Sequence, residues 1–387
     1  MSRFNVEKIE PLSLESVPPL SEMYTLSPYI WREKGKFSLL LRAVPHSENP
    51  AEKIARVYAG YSDDGLRFAM DAQPIIAPGP GAEDRDGCED PTVVVTDSGT
   101  FVYYSGWNEA EQCGRLLLAT GHDCRELTKR GVILPPTPGY ANPKEATVIQ
   151  VMDGTWRLFF EYAADEASKI GLASAPAVDG PWTMQESPFA ARPDVWDSWH
   201  LSPGPILSSD PQRPIMFYNG ATQDAHWRIG WIAFDAGYTR IVARSEEPLI
   251  VPPPGEPGDT DIAFAASCIE RENGKVYLYY SVADQYLFRA ALTMGSKICA
   301  QRANIPAMTH LQDAGNEEEK SDEITRNCCG YRRSDTRCGY DCNGSQLDDA
   351  PQDDAWENDA RQDDAPQNED ASRHDASRQH DAQDAEW

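Results

Sequence analysis

Three short segments place a titratable side chain directly before an apolar run with the composition of a β-strand. They are residues 88–92 with Asp90, 142–146 with Lys144 and Glu145, and 199–204 with His200. Two carboxyl groups can cleave a glycosidic bond, because one protonates the leaving oxygen while the other activates a nucleophile. Any one of these residues could instead cap a turn or pair with a neighbouring charge. Their repeated placement before successive strands favours a carbohydrate-cleaving site.

Bringing such groups to one point requires a repeated scaffold, and the sequence contains one. Five runs rich in apolar and aromatic residues follow tight-turn signals and are too short to be typical helices, which predicts buried strands. They span residues 36–43, 100–107, 155–162, 213–220 and 275–282. Each has a short strand before it and a third strand after it, as in a propeller blade. The sequence therefore predicts an all-β, five-bladed β-propeller over residues 1–295, in preference to a β-sandwich or a β-helix.

The charge of the chain limits its partners. The formal net charge is −27, which argues against nucleic acid and against an anionic membrane surface, because both require Lys and Arg. The N-terminal residues lack the apolar core of a signal peptide, and no run approaches the length of a membrane span. We therefore expect a soluble, cytoplasmic protein. We also expect Cys88, Cys113, Cys124 and Cys268 to be thiols rather than disulfides.

The composition changes after residue 295. Residues 348–387 contain eleven Asp, three Glu and three Arg in a low-complexity repeat, and so acidic a segment with few apolar residues is typical of disorder. Residues 296–387 are therefore predicted to be a disordered tail. Its five Cys have no standard zinc-ligand spacing, so we expect no metal there, and the role of the tail is left open.

The string GCEDP at 87–91, followed by a Val-rich strand, resembles the Glu-Asp-Pro motif of glycoside hydrolase family 130. Six further segments of this chain resemble motifs of that family, and they occur in the same order. They are LRA at 41–43, SDDG at 62–65, KEATV at 144–148, HLSPGP at 200–205, FYNG at 217–220 and YYSVAD at 279–284. The resemblance implies a five-bladed propeller that acts on β-mannosides by phosphorolysis or hydrolysis. It extends over about residues 25–293 and does not include the tail.

The resemblance also implies roles for individual residues. Asp90 would be the general acid, with its proton passing through a sugar hydroxyl to the glycosidic oxygen. Asp284 would hold hydroxyls of the mannose ring, with Arg42 and Arg56 near the same sugar, and Glu89 belongs to the same substrate-binding motif as Asp90. The chemistry implied requires no cofactor and no metal.

Two departures from the family pattern bear on the nucleophile. The family's phosphorylases hold phosphate with an Arg and a His at positions where this sequence has Glu161 and Asn219. A phosphate dianion is repelled by a carboxylate and loses the bidentate Arg contact, and the cationic candidates that remain, Lys144 and His200, look insufficient. We therefore expect water as the nucleophile and Glu161 as the base. A structural salt bridge from Glu161 to Lys144 or Lys169 is the alternative.

Three other functions stay open at this point. A furanoside-cleaving propeller would usually carry Asp where this chain has Ser27, a sugar-binding propeller could have lost catalysis, and a phosphorylase could have a remodelled phosphate site. We expect an oligosaccharide or small glycoside as the substrate. The sugar, its linkage and the oligomeric state are not determined by the sequence.

Four aromatic side chains could either stack on sugar rings or belong to the core. They are Trp107, Trp199, Tyr218 and Trp227.

Overall fold

The strands of the computed structural model form five sheets, and the structure describes residues 3–47, 49–253, 261–271 and 274–294. The first strand, β1 (Phe4–Pro11), belongs to the last sheet. Blade one contains β2 (Ser13–Glu15), β3 (Met23–Glu33), β4 (Lys36–Pro45), β5 (Arg56–Ser62) and β6 (Arg67–Met70). Blade two contains β7 (Gly87–Thr96), β8 (Gly99–Asn108), β9 (Cys113–Gly121) and β10 (Thr128–Leu134).

The remaining blades repeat this pattern. Blade three contains β11 (Ala141–Gln150), β12 (Trp156–Ala164), β13 (Ala167–Ala175) and β14 (Thr183–Gln185). Blade four contains β15 (His200–Ser202), β16 (Ile206–Leu207), β17 (Ile215–Ala221), β18 (Trp227–Phe234) and β19 (Ile241–Arg244). Blade five contains β20 (Ala263–Glu270), β21 (Lys275–Val282) and β22 (Tyr286–Met294), and β1 completes it by pairing antiparallel to β22. Among the described residues the helical elements are two short 3-10 turns, Leu20–Glu22 and Pro50–Glu52.

The prediction of a five-bladed propeller is confirmed. The five repeated runs form the second strand of each blade, β4, β8, β12, β17 and β21, and each pairs antiparallel with its neighbours. The inner strands β3, β7, β11, β15 and β20 begin the blades. The outer edge of blade one is closed by β2, which pairs parallel with β6.

The apolar cores lie between successive blades. Tyr104 on β8 packs with Leu40 and Val57 of blade one, while its neighbour Tyr103 packs with Leu158 of blade three. Because both faces of a second strand are covered, its sequence is a continuous apolar run rather than an alternation. Because the space between the blades is filled by these apolar cores, the polar residues lie at the inner ends of the blades, around the axis.

Several predictions concern residues without a described structure. Residues 295–387 lie outside the described part, and so do the predicted disorder, the tail's Cys residues and the boundary after 295. Within the described ranges, Cys88, Cys113, Cys124 and Cys268 form no disulfide. None of the described helices is long and apolar enough to span a membrane.

Candidate active site

Three inner strands carry a bulge that turns a polar side chain toward the propeller axis. The pairing registers of β3, β7 and β11 shift around Ser27, Asp90 and Glu145. Their φ angles are 50°, 48° and 53°, in the left-handed region that residues other than Gly seldom occupy. A bulge re-aims a side chain, and all three residues line a narrow axial channel together with parts of blades four and five.

A larger cavity of about 260 Å³ shares these three residues with the channel. Its wall includes residues from all five blades. The size is just below the roughly 300–1,000 Å³ of pockets for drug-sized ligands, so the cavity suits a small ligand. Six of the nine residues predicted from the sequence line it: Arg42, Asp90, Lys144, Glu161, His200 and Asp284.

One group in the wall is built around the guanidinium of Arg42. Its Nη2 donates to Glu89 Oε1 at 2.8 Å, and its Nη1 lies 3.4 Å from Asp90 Oδ1. Ser27 Oγ donates to the same Asp90 oxygen at 2.7 Å. Charge-assisted hydrogen bonds are among the stronger contacts in proteins. The Asp90 carboxyl group of blade two is therefore held by two side chains of blade one.

A second group is built around the carboxylate of Glu161. Lys144 Nζ lies 3.3 Å from Glu161 Oε1, and Ser168 Oγ donates to the same oxygen at 2.7 Å. Glu161 is almost fully buried, and both neighbours share the cavity wall with it. The salt bridge between Glu161 and Lys144 that the sequence analysis gave as an alternative is therefore present. Lys169 pairs with Asp165 instead. The ion pair lies inside the cavity and is compatible with a catalytic role for Glu161.

The protonation of the acidic side chains is set mainly by burial. Burial raises the pKa of Glu145 well above its ordinary range, and the charges of Asp90 and Glu161 raise it further. Burial also raises the pKa of Asp284 to about 6, although Arg42 opposes this. The pKa of Glu89 is raised in the same way, against the influence of Arg42. Glu145 therefore binds a proton more readily than an exposed Glu does, since desolvation disfavours the charged form.

His200 is a neutral residue in this site. The backbone N–H of Ser168 donates to His200 Nδ1 at 3.0 Å, so this nitrogen carries no proton. Burial lowers the pKa of His200 below its ordinary 6.5, and the ring also hydrogen-bonds the backbone of Gln223. The sequence makes His200 a cationic candidate for phosphate, and the hydrogen bond from the Ser168 amide to Nδ1 disfavours that charged form.

An aromatic surface forms one side of the cavity. Trp227 lies against His200 with ring centroids 5.7 Å apart, and it meets Phe264 edge-on at 5.3 Å. All three residues line the cavity. The other aromatic candidates lie elsewhere: Tyr218 donates to the buried Asp197, Trp107 to Glu109 and Trp199 to the backbone of Glu166. Trp227 is therefore the candidate that can reach a ligand.

Three predicted site residues do not line the cavity. Glu89 lies behind Arg42, in contact with its guanidinium. Arg56 is half-buried and donates to the carbonyl of Ile54 at 2.9 Å. Asn219 is fully buried, and its amide is hydrogen-bonded to backbone groups of Pro203 and Ala265. Glu89 can act on the site through Arg42, whereas Asn219 joins blades four and five.

The cavity wall also contains residues that the site prediction did not include, among them Glu145, Ser168, Asp224 and Phe264. Glu145 has the same bulged position in blade three as Asp90 in blade two, and its place directly before an apolar strand was a usable signal. Ser168, Asp224 and Phe264 had no such signal, because they reach the cavity from a hairpin, a loop and a strand face. In the described ranges no group of three His, Cys, Asp or Glu residues could hold a metal ion.

Comparison with protein families matches residues 46–296 to the family model described as beta-1,4-mannooligosaccharide phosphorylase. The match covers well over half of the chain. A search of curated proteins finds no match to this sequence.

Solved structures provide a second comparison. A β-1,2-mannobiose phosphorylase from Listeria innocua superposes with a TM-score of 0.59 at 18% identity, over 74% of this chain and 91% of that chain. A protein from work on family 130 glycoside hydrolases that target β-1,2-mannosidic linkages in Candida mannan gives 0.59 at 22% identity, over 70% and 84%. A mannose phosphorylase from Leishmania mexicana, in complex with phosphate ion, gives 0.53 at 15% identity, over 74% and 88%. At these identities the comparisons establish the shared fold.

Proposed function

The chain belongs to glycoside hydrolase family 130, and on that premise we propose that it cleaves β-mannosides by inverting hydrolysis in the funnel of the propeller. The family includes mannoside phosphorylases and glycoside hydrolases that act on β-mannosidic linkages. In our proposal Asp90 is the general acid, Glu161 is the general base and water is the nucleophile.

The position of Glu161 carries this proposal. A phosphorolytic enzyme must bind a phosphate dianion beside the sugar, which requires cationic groups. Here Lys144 is paired with Glu161, and His200 is held neutral by Ser168. Even without Glu145, the acidic side chains of the cavity outnumber its two cations, Arg42 and Lys144. These acids are Asp90, Glu161, Asp224 and Asp284. This balance favours water over phosphate.

The proposed reaction is a single displacement. Water attacks the anomeric carbon from the face opposite the leaving group, and Glu161 takes one of its protons as the new C–O bond forms. The glycosidic C–O bond breaks, and the leaving oxygen receives a proton that originates from Asp90 through a sugar hydroxyl. Inverting enzymes place the two carboxyl groups roughly 6.5–9.5 Å apart, so that water fits between the base and the sugar.

The remaining residues would hold the sugar. Arg42 and Asp284 would bind hydroxyls, and their position in the cavity wall with Asp90 supports this role. Trp227 offers a flat apolar surface that a sugar ring can cover. Glu89 orients Arg42 through a 2.8 Å hydrogen bond, and Arg56 and Asn219 would act at a greater distance.

Phosphorolysis is the second candidate. It is favoured by the description of the matching family model, which is that of a phosphorylase. Lys144 and Arg42 would then be the cations available to the phosphate.

Product analysis tests the proposal directly. The purified full-length chain is incubated with β-1,2- and β-1,4-linked mannobiose, with and without inorganic phosphate. Hydrolysis predicts free mannose under both conditions, with the α-anomer appearing first by NMR. Mannose 1-phosphate formed only when phosphate is present would establish phosphorolysis instead. No product from either linkage would leave both candidates without support.

A further inference from the structure

The β12–β13 hairpin brings Ser168 onto the same face of blade three as Glu161. In the pairing of these strands Glu161 lies opposite Ile170, so Ser168, two residues before Ile170, is its diagonal neighbour. Diagonal neighbours on one face of a sheet are close enough for polar side chains to meet. The contact is direct, because Ser168 Oγ donates to Glu161 Oε1 at 2.7 Å and both side chains are buried.

Ser168 makes a second contact through its backbone. Its N–H donates to His200 Nδ1 at 3.0 Å, and the His200 ring in turn hydrogen-bonds the backbone of Gln223 at the rim of the cavity. One residue therefore connects the carboxylate of Glu161 with the neutral imidazole beside it. The contact with Glu161 depends on the side chain of Ser168, whereas the contact with His200 depends only on its backbone. Substitution of Ser168 therefore removes the first contact and can leave the second in place.

We propose that Ser168 is a positioning residue for the base of the hydrolytic reaction, and this rests on the proposed function of Glu161. The hydroxyl hydrogen bond restricts the rotation of the carboxylate, so that the carboxylate is oriented to accept a proton from water. Ser168 transfers no proton and touches no substrate in this role. Lys144 adds a positive charge to the same oxygen, Oε1, at 3.3 Å.

The groups that face Glu161 come from three strands. On β11 they are Lys144 and Glu145, and on β15 the group is His200. Ser168 is the neighbour on β13 and carries no charge. Removal of its hydroxyl takes away one of the two contacts that orient Glu161 Oε1, the other being Lys144.

The test compares Ser168→Ala with Ser168→Thr, which keeps a hydroxyl, and with Ser174→Ala, a control on the same strand away from the cavity. With mannobiose in phosphate-free buffer, we expect kcat of Ser168→Ala to fall at least tenfold while KM stays within about twofold. Ser168→Thr should recover most of the lost kcat, and Ser174→Ala should match the native chain.

A second readout does not depend on turnover. The orientation of the Glu161 carboxylate, read from crystal structures of the native chain and of Ser168→Ala, should differ between the two. An unchanged orientation would overturn the proposal, as would a Thr variant as impaired as the Ala variant. If the orientation changes but Glu161→Gln retains turnover, Glu161 is not the base. The proposed function then fails, and the catalytic role of Ser168 is overturned with it.

Discussion

Lys144 and Glu161 form an ion pair on facing strands of blade three, with Nζ and Oε1 3.3 Å apart, inside the cavity rather than on the surface. A buried pair of this kind contributes less to stability than its geometry suggests, because both charges lose hydration. In the proposed hydrolysis the pair has a use, since the ammonium holds the carboxylate in place beside the substrate. The variants below separate catalysis, binding and stability.

Glu161→Gln should abolish most hydrolysis without loss of the fold. Loss of a general base typically lowers the rate by roughly 10²–10⁴-fold, and Gln keeps the shape of the side chain. The measurement is kcat on mannobiose in phosphate-free buffer, with melting temperature as a check on folding. Glu166→Gln, an exposed change in the same hairpin, serves as the matched control. Native turnover in Glu161→Gln would rule out the base assignment.

Asp90→Asn distinguishes an enzyme from a sugar-binding propeller. Asn keeps an oxygen that can accept from Ser27 and Arg42, as Asp90 Oδ1 does, but it cannot donate an acidic proton. We expect kcat to fall by about 10²–10⁴-fold, while mannobiose binding measured by calorimetry stays close to the native KM. Undiminished turnover would contradict the general-acid role. A native chain that binds mannobiose without cleaving it would favour the binding module.

The fold and half of the site could be predicted from local sequence. The blades repeat a strand that is apolar on both faces, and Asp90 and Lys144 stand directly before such strands, so their convergence follows from propeller geometry. The protonation state of His200 could not be predicted in this way. It depends on a backbone amide 32 residues earlier in the chain, and no local pattern records that contact.

Arg56 and Asn219 illustrate the limit of alignment to motifs. A motif gives the place of a residue along a strand, but a one-residue difference in register sends the side chain to the other face. Asn219 occupies a predicted motif position, yet its amide is turned toward blade five. Ser168 shows the reverse case. It belongs to no motif of the family, yet strand pairing brings it into the cavity wall.

Asn219→Leu should lower stability more than it changes catalysis. Asn219 Oδ1 accepts from the N–H of Ala265 at 2.7 Å, and Nδ2 donates to the carbonyls of Pro203 and Ala265. Leu leaves these buried backbone groups unpaired, which should cost about 2–4 kcal/mol of unfolding free energy. Chemical denaturation measures the loss, and Gln185→Leu, an exposed amide that also donates to a backbone carbonyl, is the control. A raised KM with unchanged stability would instead indicate contact with substrate.

Asp284→Asn should flatten the pH dependence of stability between about pH 4 and pH 6. Burial raises the pKa of Asp284 from 3.8 to about 6, with Arg42 and Lys144 opposing this. The folded state therefore binds this proton more tightly than the unfolded state, so stability falls as pH rises through this window, and the whole penalty is present above pH 6. Its size is about 2–3 kcal/mol.

The pH dependence of melting temperature measures this effect. Asn is neutral throughout, so the variant should gain stability over the native chain at pH 7 while its KM rises, because a charged hydrogen-bond acceptor for sugar hydroxyls is lost. Asp97→Asn, an exposed substitution, controls for the change in net charge. A native slope in Asp284→Asn would mean that other acids, Glu145 first among them, account for the pH dependence. A more stable but weaker-binding variant would mark Asp284 as a residue whose charge serves the ligand rather than the fold.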